Sequence, residues 1–171
     1  MRGRGRLALA FLALLAMLGE SRAADEDSYL PTGSAAAVLT VTKDRPAAAG
    51  VMVMTEALAV NETGPKQTVD HFGETYAFSP AVFAVYRDQP TLITFRNLQP
   101  DDEHDFMLTD PENSVLMKVR LAPLSDTAYV FTFHRQGIFP FYCTLHQPGM
   151  SGQIIVLPRE ARSVRAPHRT S

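Results

Sequence analysis

The sequence lacks the motifs of the common hydrolytic and phosphate-binding sites. It has no Gly-x-Ser-x-Gly, no His-Glu-x-x-His and no phosphate-binding glycine loop. It has no internal repeat, and no apolar segment after the first 23 residues is long enough to cross a bilayer. Cys143 is the only cysteine, which excludes a disulfide within the chain. These absences argue against an enzyme and against a membrane-spanning mature protein.

Residues 1–23 have the layout of a secretory signal peptide. Three arginines at positions 2, 4 and 6 precede an apolar run from Leu7 to Leu18, and Ser21 and Ala23 provide the small residues of a cleavage site. An uncleaved amphipathic anchor is the alternative. We therefore expect a periplasmic or otherwise exported protein that has no membrane span after cleavage.

Removal of residues 1–23 makes the charge balance acidic. The remaining chain has 12 basic and 17 acidic residues, and residues 24–158 have 8 and 16. Nucleic acid is excluded as the main partner because phosphate binding needs concentrated positive charge. A cationic partner or ion is favoured instead. Residues 159–171 carry four arginines against one glutamate, and we predict a basic, disordered tail there.

The rest of the chain is typical of a single all-β domain. Residues 24–50 are rich in Ala, Asp, Pro and Gly, which predicts a linker with one possible short strand at Val38–Thr42. From residue 51 to 158, short runs of β-branched and aromatic residues alternate with turn residues, as in a sandwich or barrel. No segment shows helical periodicity with caps at both ends. The candidate strands are Val51–Val60, Thr68–Phe78, Val82–Tyr86, Thr91–Asn97, His104–Leu108, Val115–Leu121, Thr127–His134, Gly137–Tyr142 and Gly152–Leu157.

Three soft or borderline donors lie within eight residues, between two predicted strands. Cys143, His146 and Met150 offer a thiolate, an imidazole and a thioether, a set that suits copper in both oxidation states. A trigonal copper site needs a second imidazole, and His104, which follows a strand and a polar loop, is the best candidate. The alternatives are an inert core thiol, a surface histidine and a methionine that fills a gap in the core.

The remaining histidines and methionines are weaker candidates. His71 and His134 lie on predicted strands, where they pack or face solvent, and His168 is in the tail. Met52 and Met54 share a strand face, so they predict either a second copper site through thioethers or ordinary core packing.

The order of these motifs resembles the cupredoxins, the type 1 blue copper proteins of the plastocyanin, azurin and pseudoazurin group. The resemblance rests on an Asn-loop-His pattern, on Phe-Tyr-Cys-x-x-His-x-x-x-Met, on Gly-x-Ile-x-Val, and on the upstream stretch Tyr76–Val85. It implies a single-domain, Greek-key β-sandwich that binds one copper ion, Cu(I) or Cu(II). By position, the metal ligands would be His104, Cys143, His146 and Met150.

The resemblance also implies a function, which is one-electron transfer between redox partners such as a c-type cytochrome or an oxidase. His146 would be the electron exit, within an apolar patch of Leu145, Pro148 and Phe139, and the acidic residues of Asp101–Asp105 would steer a basic partner. Copper buffering or delivery to a copper oxidase is the alternative. A copper enzyme would need further His-rich motifs and a second domain, and a binuclear centre would need a second cysteine. We expect a monomer.

Overall fold

The computed structural model describes residues 28–159. The predicted signal peptide lies outside the described residues, as does the predicted tail after its first residue. The elements in chain order are α1 (Gly33–Val38), β1 (Leu39–Thr42), β2 (Ala49–Ala59), α2 (Lys66–Phe72), β3 (Thr75–Ser79), β4 (Val82–Tyr86), β5 (Thr91–Asn97), β6 (His104–Thr109), β7 (Val115–Leu121), β8 (Asp126–Phe133), β9 (Gly137–Tyr142) and β10 (Ser151–Leu157).

The strands form two five-stranded sheets. One sheet has the order β1-β8-β5-β2-β3, and the other has the order β4-β10-β9-β6-β7. Two neighbouring pairs, β2–β5 and β4–β10, run parallel, and the other pairs run antiparallel. This arrangement confirms the predicted all-β sandwich.

The core lies between the sheets and is rich in phenylalanine. Alternate residues of β5, such as Ile93 and Phe95, are buried, as the period of two along a strand requires. The Phe95 and Phe106 rings are 4.4 Å apart, and the Phe106 and Phe141 rings are 5.1 Å apart. Each such buried ring stabilises the fold by roughly 2–3 kcal/mol. The core therefore joins β5 of one sheet to β6 and β9 of the other.

The predicted strand Thr68–Phe78 is wrong in its first half. The structure has helix α2 there, and only β3, from Thr75, is extended. Pro65 caps the helix at its start, where a missing N–H costs nothing, and Gly73 ends it with a positive φ of 77°. The expectation of a helix-free chain is wrong for the same reason. No residue of α2 is buried, so the segment has no strong apolar periodicity from which a helix could be predicted.

Part of the segment expected to be a linker packs on the sandwich. The short strand predicted at Val38–Thr42 is present as β1, which pairs with β8 and buries Leu39 completely. Helix α1 precedes it, and Tyr29 forms a bridge to Lys118 in β7. The sandwich thus includes residues well before Val51. No helix in the described part of the chain is both long enough and apolar enough to span a membrane.

Candidate metal centre

The strand order brings two distant donors to one end of the sandwich. His104 is the first residue of β6, and Cys143 directly follows β9. These strands are antiparallel neighbours, with Met107 opposite Tyr142. Because antiparallel neighbours place the start of one strand beside the end of the other, His104 and Cys143 lie side by side.

Residues 143–150, here called the donor loop, fold back on themselves between β9 and β10. The Cys143 N–H donates to the Met150 carbonyl at 2.9 Å, and the Met150 N–H donates to the His146 carbonyl at 3.1 Å. The Gln147 amide also donates to the Cys143 carbonyl at 3.0 Å. These bonds hold the loop in a closed turn, so His146 points back to the thiol.

Three of the four predicted donors meet in a compact triangle. The His104 Nδ1 to His146 Nδ1 distance is 3.1 Å, Cys143 Sγ to His146 Nδ1 is 3.5 Å, and Cys143 Sγ to His104 Nδ1 is 4.0 Å. A triangle with these sides has its centre about 2 Å from each corner, close to the metal–nitrogen and metal–sulfur bond lengths of protein sites. The three side chains can therefore hold a metal ion.

Met150 lies at the same place in the fold. Its side chain is fully buried, and its carbonyl is bonded to the backbone N–H of Cys143. The thioether is therefore carried by a residue whose backbone is fixed against that of the thiol. The role of Met150 as a ligand stays a prediction.

Burial sets the protonation of the donors in the metal-free protein. Burial first, and then the neighbouring His146, lowers the pKa of His104 to about 4, so its imidazole is neutral at pH 7. Burial raises the pKa of the Cys143 thiol, although the Asp105 N–H donates to Sγ at 3.4 Å and favours the thiolate. Metal binding must therefore displace a proton from Cys143 but none from His104.

Asp105 ties the His104 strand to the donor loop. Its buried carboxylate accepts a bond from the Thr144 N–H at 2.6 Å and another from the Thr144 hydroxyl. Lys118 on β7 balances the carboxylate, with Nζ 3.2 Å from Oδ2. From the sequence, Asp105 is one of a run of acidic residues, whereas in the fold it is an internal support of the site.

Tyr76 on β3 is part of the site but is not among the predicted donors. Its ring centroid is 4.9 Å from that of His104 and 4.5 Å from that of His146. Its hydroxyl donates to Asp102 at 2.6 Å, and burial, followed by that bond, raises its pKa well above the ordinary value. The only signal in the sequence is its place at the start of the stretch Tyr76–Val85. Strand alternation there does not indicate contact with both imidazoles.

The expected apolar patch around His146 is only partly present. Leu145 is 54% exposed and Pro148 is also exposed, but Phe139 is fully buried and belongs to the core. Phe139 was assigned by its closeness in sequence, but β9 directs its side chain between the sheets. His146 is the only one of the three converging donors that is partly exposed.

The weaker candidates lie outside the site. His71 is on helix α2 rather than on a strand, and His134 bonds to Thr40 and Asp88 beyond the end of β8. Met52 is exposed and Met54 is partly buried, on the outward face of β2. The core-packing interpretation of these two methionines is therefore wrong.

Comparison with known proteins supports the fold rather than a particular function. No family model and no curated protein matches the sequence. The structure is similar to that of auracyanin B, with a TM-score of 0.51 and 14% identity over 71% of this chain and 99% of that chain. Amicyanin from Paracoccus versutus is 20% identical over 70% of this chain and 97% of its own, with a TM-score of 0.43. Auracyanin A, a "blue" copper protein from Chloroflexus aurantiacus, is 15% identical over 63% and 98%, with a TM-score of 0.46. The chain therefore has the cupredoxin fold that its sequence motifs imply.

Proposed function

We propose that the protein is an exported, mononuclear type 1 copper protein that carries single electrons between redox partners. The observation that supports this most strongly is the triangle of two imidazole nitrogens and one thiol sulfur, drawn from β6 and the donor loop. Two imidazoles with one thiolate and a weak axial thioether form the donor set of blue-copper electron-transfer sites. We assign the four ligand roles to His104, Cys143, His146 and Met150.

The protein's part in this function is to hold the donors still. Copper supplies the one-electron Cu(I)/Cu(II) couple. Asp105 fixes the start of the donor loop through Thr144, and the Met150 carbonyl fixes the backbone of Cys143. Donors held in this way change position little between the two oxidation states, which keeps the reorganisation small. Buried His104 and Cys143 leave His146 as the route for electrons to the surface.

Charge steers the partner more weakly than the run of acidic residues alone predicts. Of the acidic residues between β5 and β6, Glu103 pairs with Arg120, and Asp102 accepts a bond from Tyr76. Residues 28–159 nevertheless hold 13 acidic and 9 basic residues. We assign the protein a basic redox partner, such as a c-type cytochrome, and the periplasm or another exported compartment as its location.

Copper loading of the purified protein tests the proposal. The Cu(II) form should show an intense thiolate-to-copper absorption band in the visible region. The Cys143→Ser variant should lose the band and keep the far-ultraviolet circular dichroism of the wild type, because Ser fills nearly the same volume. A band that survives this substitution, or a wild type that binds copper without one, contradicts the assignment.

Copper buffering or delivery is the second candidate. It is supported by the partial exposure of His146, which gives an ion a way out of the site. Transfer of copper from the loaded protein to a Cu(I) chelator separates the two functions. Loss within seconds supports delivery, whereas retention for hours, together with rapid electron exchange with a small-molecule oxidant, supports the carrier.

A further inference from the structure

A pocket opens beside the candidate metal centre, between helix α2 and the donor loop. Its volume is about 330 Å³, and its walls include Phe72, Glu74, Tyr76, His146 and Pro148. That volume is at the lower end of the range for ligand pockets. One long side chain of another protein would fill much of it. Because His146 forms part of the wall, any occupant lies against a metal ligand.

The pocket presents a carboxylate and an aromatic ring together. Glu74 Oε1 accepts bonds from the Asn61 N–H at 3.1 Å and from the Asn61 amide at 2.8 Å, which hold the carboxylate in place. Oε2 receives only a long 3.4 Å contact from Tyr76, whose hydroxyl bonds more closely to Asp102. Phe72, at the end of α2, is 75% exposed, the largest fraction of any exposed large apolar side chain in residues 28–159. A fixed carboxylate next to an open aromatic ring suits a guanidinium or an ammonium.

The charges around the pocket also favour a cation. Asp70 lies on α2, Glu74 is in the wall, and Asp102 is bonded to Tyr76 in the wall, whereas α2 contributes only Lys66 on the basic side. An anionic occupant would face Glu74 directly. Electrostatic complementarity therefore selects a basic side chain and disfavours an acidic one.

We propose that this pocket receives one arginine or lysine side chain of the redox partner, and that Glu74 and Phe72 are the residues that recognise it. This inference rests on the proposed carrier function and adds the recognition element to it. The bound cation anchors the partner against His146, so recognition and electron transfer occur at one place.

Electron transfer to a basic cytochrome c tests the pocket. The copper-loaded, reduced protein is mixed with the oxidised cytochrome in a stopped-flow instrument, at a series of ionic strengths. Glu74→Gln keeps an oxygen for the Asn61 donors and removes the charge, and Phe72→Ala removes the ring. We expect each to lower the second-order rate constant about threefold to tenfold at low ionic strength, with the copper reduction potential unchanged.

Two variants serve as matched controls. Asp44→Asn removes one exposed carboxylate from the β1–β2 loop, at the opposite edge of the sheet from β3. Tyr86→Ala removes an exposed ring from the end of β4. We expect each to change the rate constant less than twofold. Equal effects in the pocket variants and the controls would overturn the proposal.

Two further outcomes separate the possible failures. If removal of residues 160–171 raises the rate constant and abolishes the effect of Glu74→Gln, the pocket binds the chain's own basic tail and the proposal is wrong. If hexacyanoferrate(III) fails to oxidise the reduced, copper-loaded wild type, the carrier function itself fails. Normal oxidation by hexacyanoferrate(III), with no difference between pocket and control variants, overturns the pocket alone.

Discussion

Tyr76 connects the two imidazoles of the candidate site to the loop that precedes His104. Its ring contacts both histidines, while its hydroxyl holds Asp102, two residues before His104. The ring and the hydroxyl therefore do different work. The ring limits the tilt of the imidazoles, and the hydroxyl fixes the approach of the chain to β6.

Substitution at Tyr76 separates these two contributions. Tyr76→Phe should lower the free energy of unfolding by about 1–2 kcal/mol, because it removes a hydrogen bond to a carboxylate. It should leave the copper absorption band unchanged because the ring remains. Tyr76→Ala should also shift the band and speed copper release to a chelator. Urea unfolding and visible spectra test both variants, and a Phe variant whose band shifts as far as that of Ala contradicts the division.

Asp105 places a buried negative charge beside the thiol, and Lys118 balances it. A negative charge close to the metal stabilises the oxidised ion and lowers the reduction potential. Asp105→Asn keeps an oxygen to accept the Thr144 N–H bond and removes the charge. We therefore expect the reduction potential to rise by an amount on the order of 50 mV. Protein-film voltammetry measures the shift.

Glu103→Gln is the control for that measurement. Glu103 is adjacent to His104 but partly exposed, and it is paired with Arg120. Solvent screens its charge more than that of buried Asp105, so its removal should raise the potential less. If the two substitutions shift the potential equally, burial of Asp105 is not what makes its charge effective.

At the scale of elements, Asn97 joins the end of β5 to three other segments. Its amide donates to the carbonyls of Asp102 and Leu121 at 2.8 and 3.1 Å. Its side-chain oxygen accepts a bond from the Thr55 hydroxyl at 2.8 Å and from the Gln99 N–H at 3.0 Å. The loop between β5 and β6 is thereby held at both ends. This is the physical basis of the Asn-loop-His pattern in the sequence.

Removal of the Asn97 side chain should loosen that loop. Asn97→Ala leaves several buried polar groups without their partner, and we expect the free energy of unfolding to fall by about 3 kcal/mol. The loaded variant should also release copper faster, because His104 follows the loop. Urea unfolding of the metal-free protein measures the stability. Thr40→Ala, which removes one exposed hydroxyl bonded to His134, should cost less than about 1 kcal/mol. A loss below 1 kcal/mol in Asn97→Ala would show that the network adds little.

The parts of the fold that were predicted from sequence depend on short-range patterns. Alternating burial identifies β4, β5 and β7, and the cluster of soft donors indicates the donor loop. Helix α2 was missed because it buries nothing, so the sequence has no periodic apolar face there. The contact of Lys118 with Asp105 depends on the register of β6 against β7, in which Asp105 lies opposite Arg120. Periodicity within one strand does not determine that register, and the same reason explains why Tyr76 was missed.

At the scale of the whole molecule, the candidate metal centre lies at one end of the sandwich, and its polar groups are buried beside an aromatic core. His104 is fully buried at the edge of a sheet whose next inward residues include Phe106. A polar imbalance at this end therefore affects global unfolding, because the β6–β9 and β6–β7 pairings must separate before water reaches it.

The pH dependence of stability in the metal-free protein follows from this burial. The pKa of His104 is about 4 in the folded state and 6.5 in a model imidazole. Between these values the unfolded chain binds a proton that the folded protein does not, so stability falls as the pH drops from 6.5 to 4. At pH 5 this group alone should cost about 2 kcal/mol relative to pH 7. Asp88 and Asp126 have pKa values lowered from 3.8, so their contributions are lost only at lower pH. Urea unfolding at pH 7 and pH 5 measures the difference, and His104→Gln should remove most of it. A wild type with equal stability at both pH values would mean that the imidazole reaches water in the folded state, and burial could then not keep it neutral for a metal.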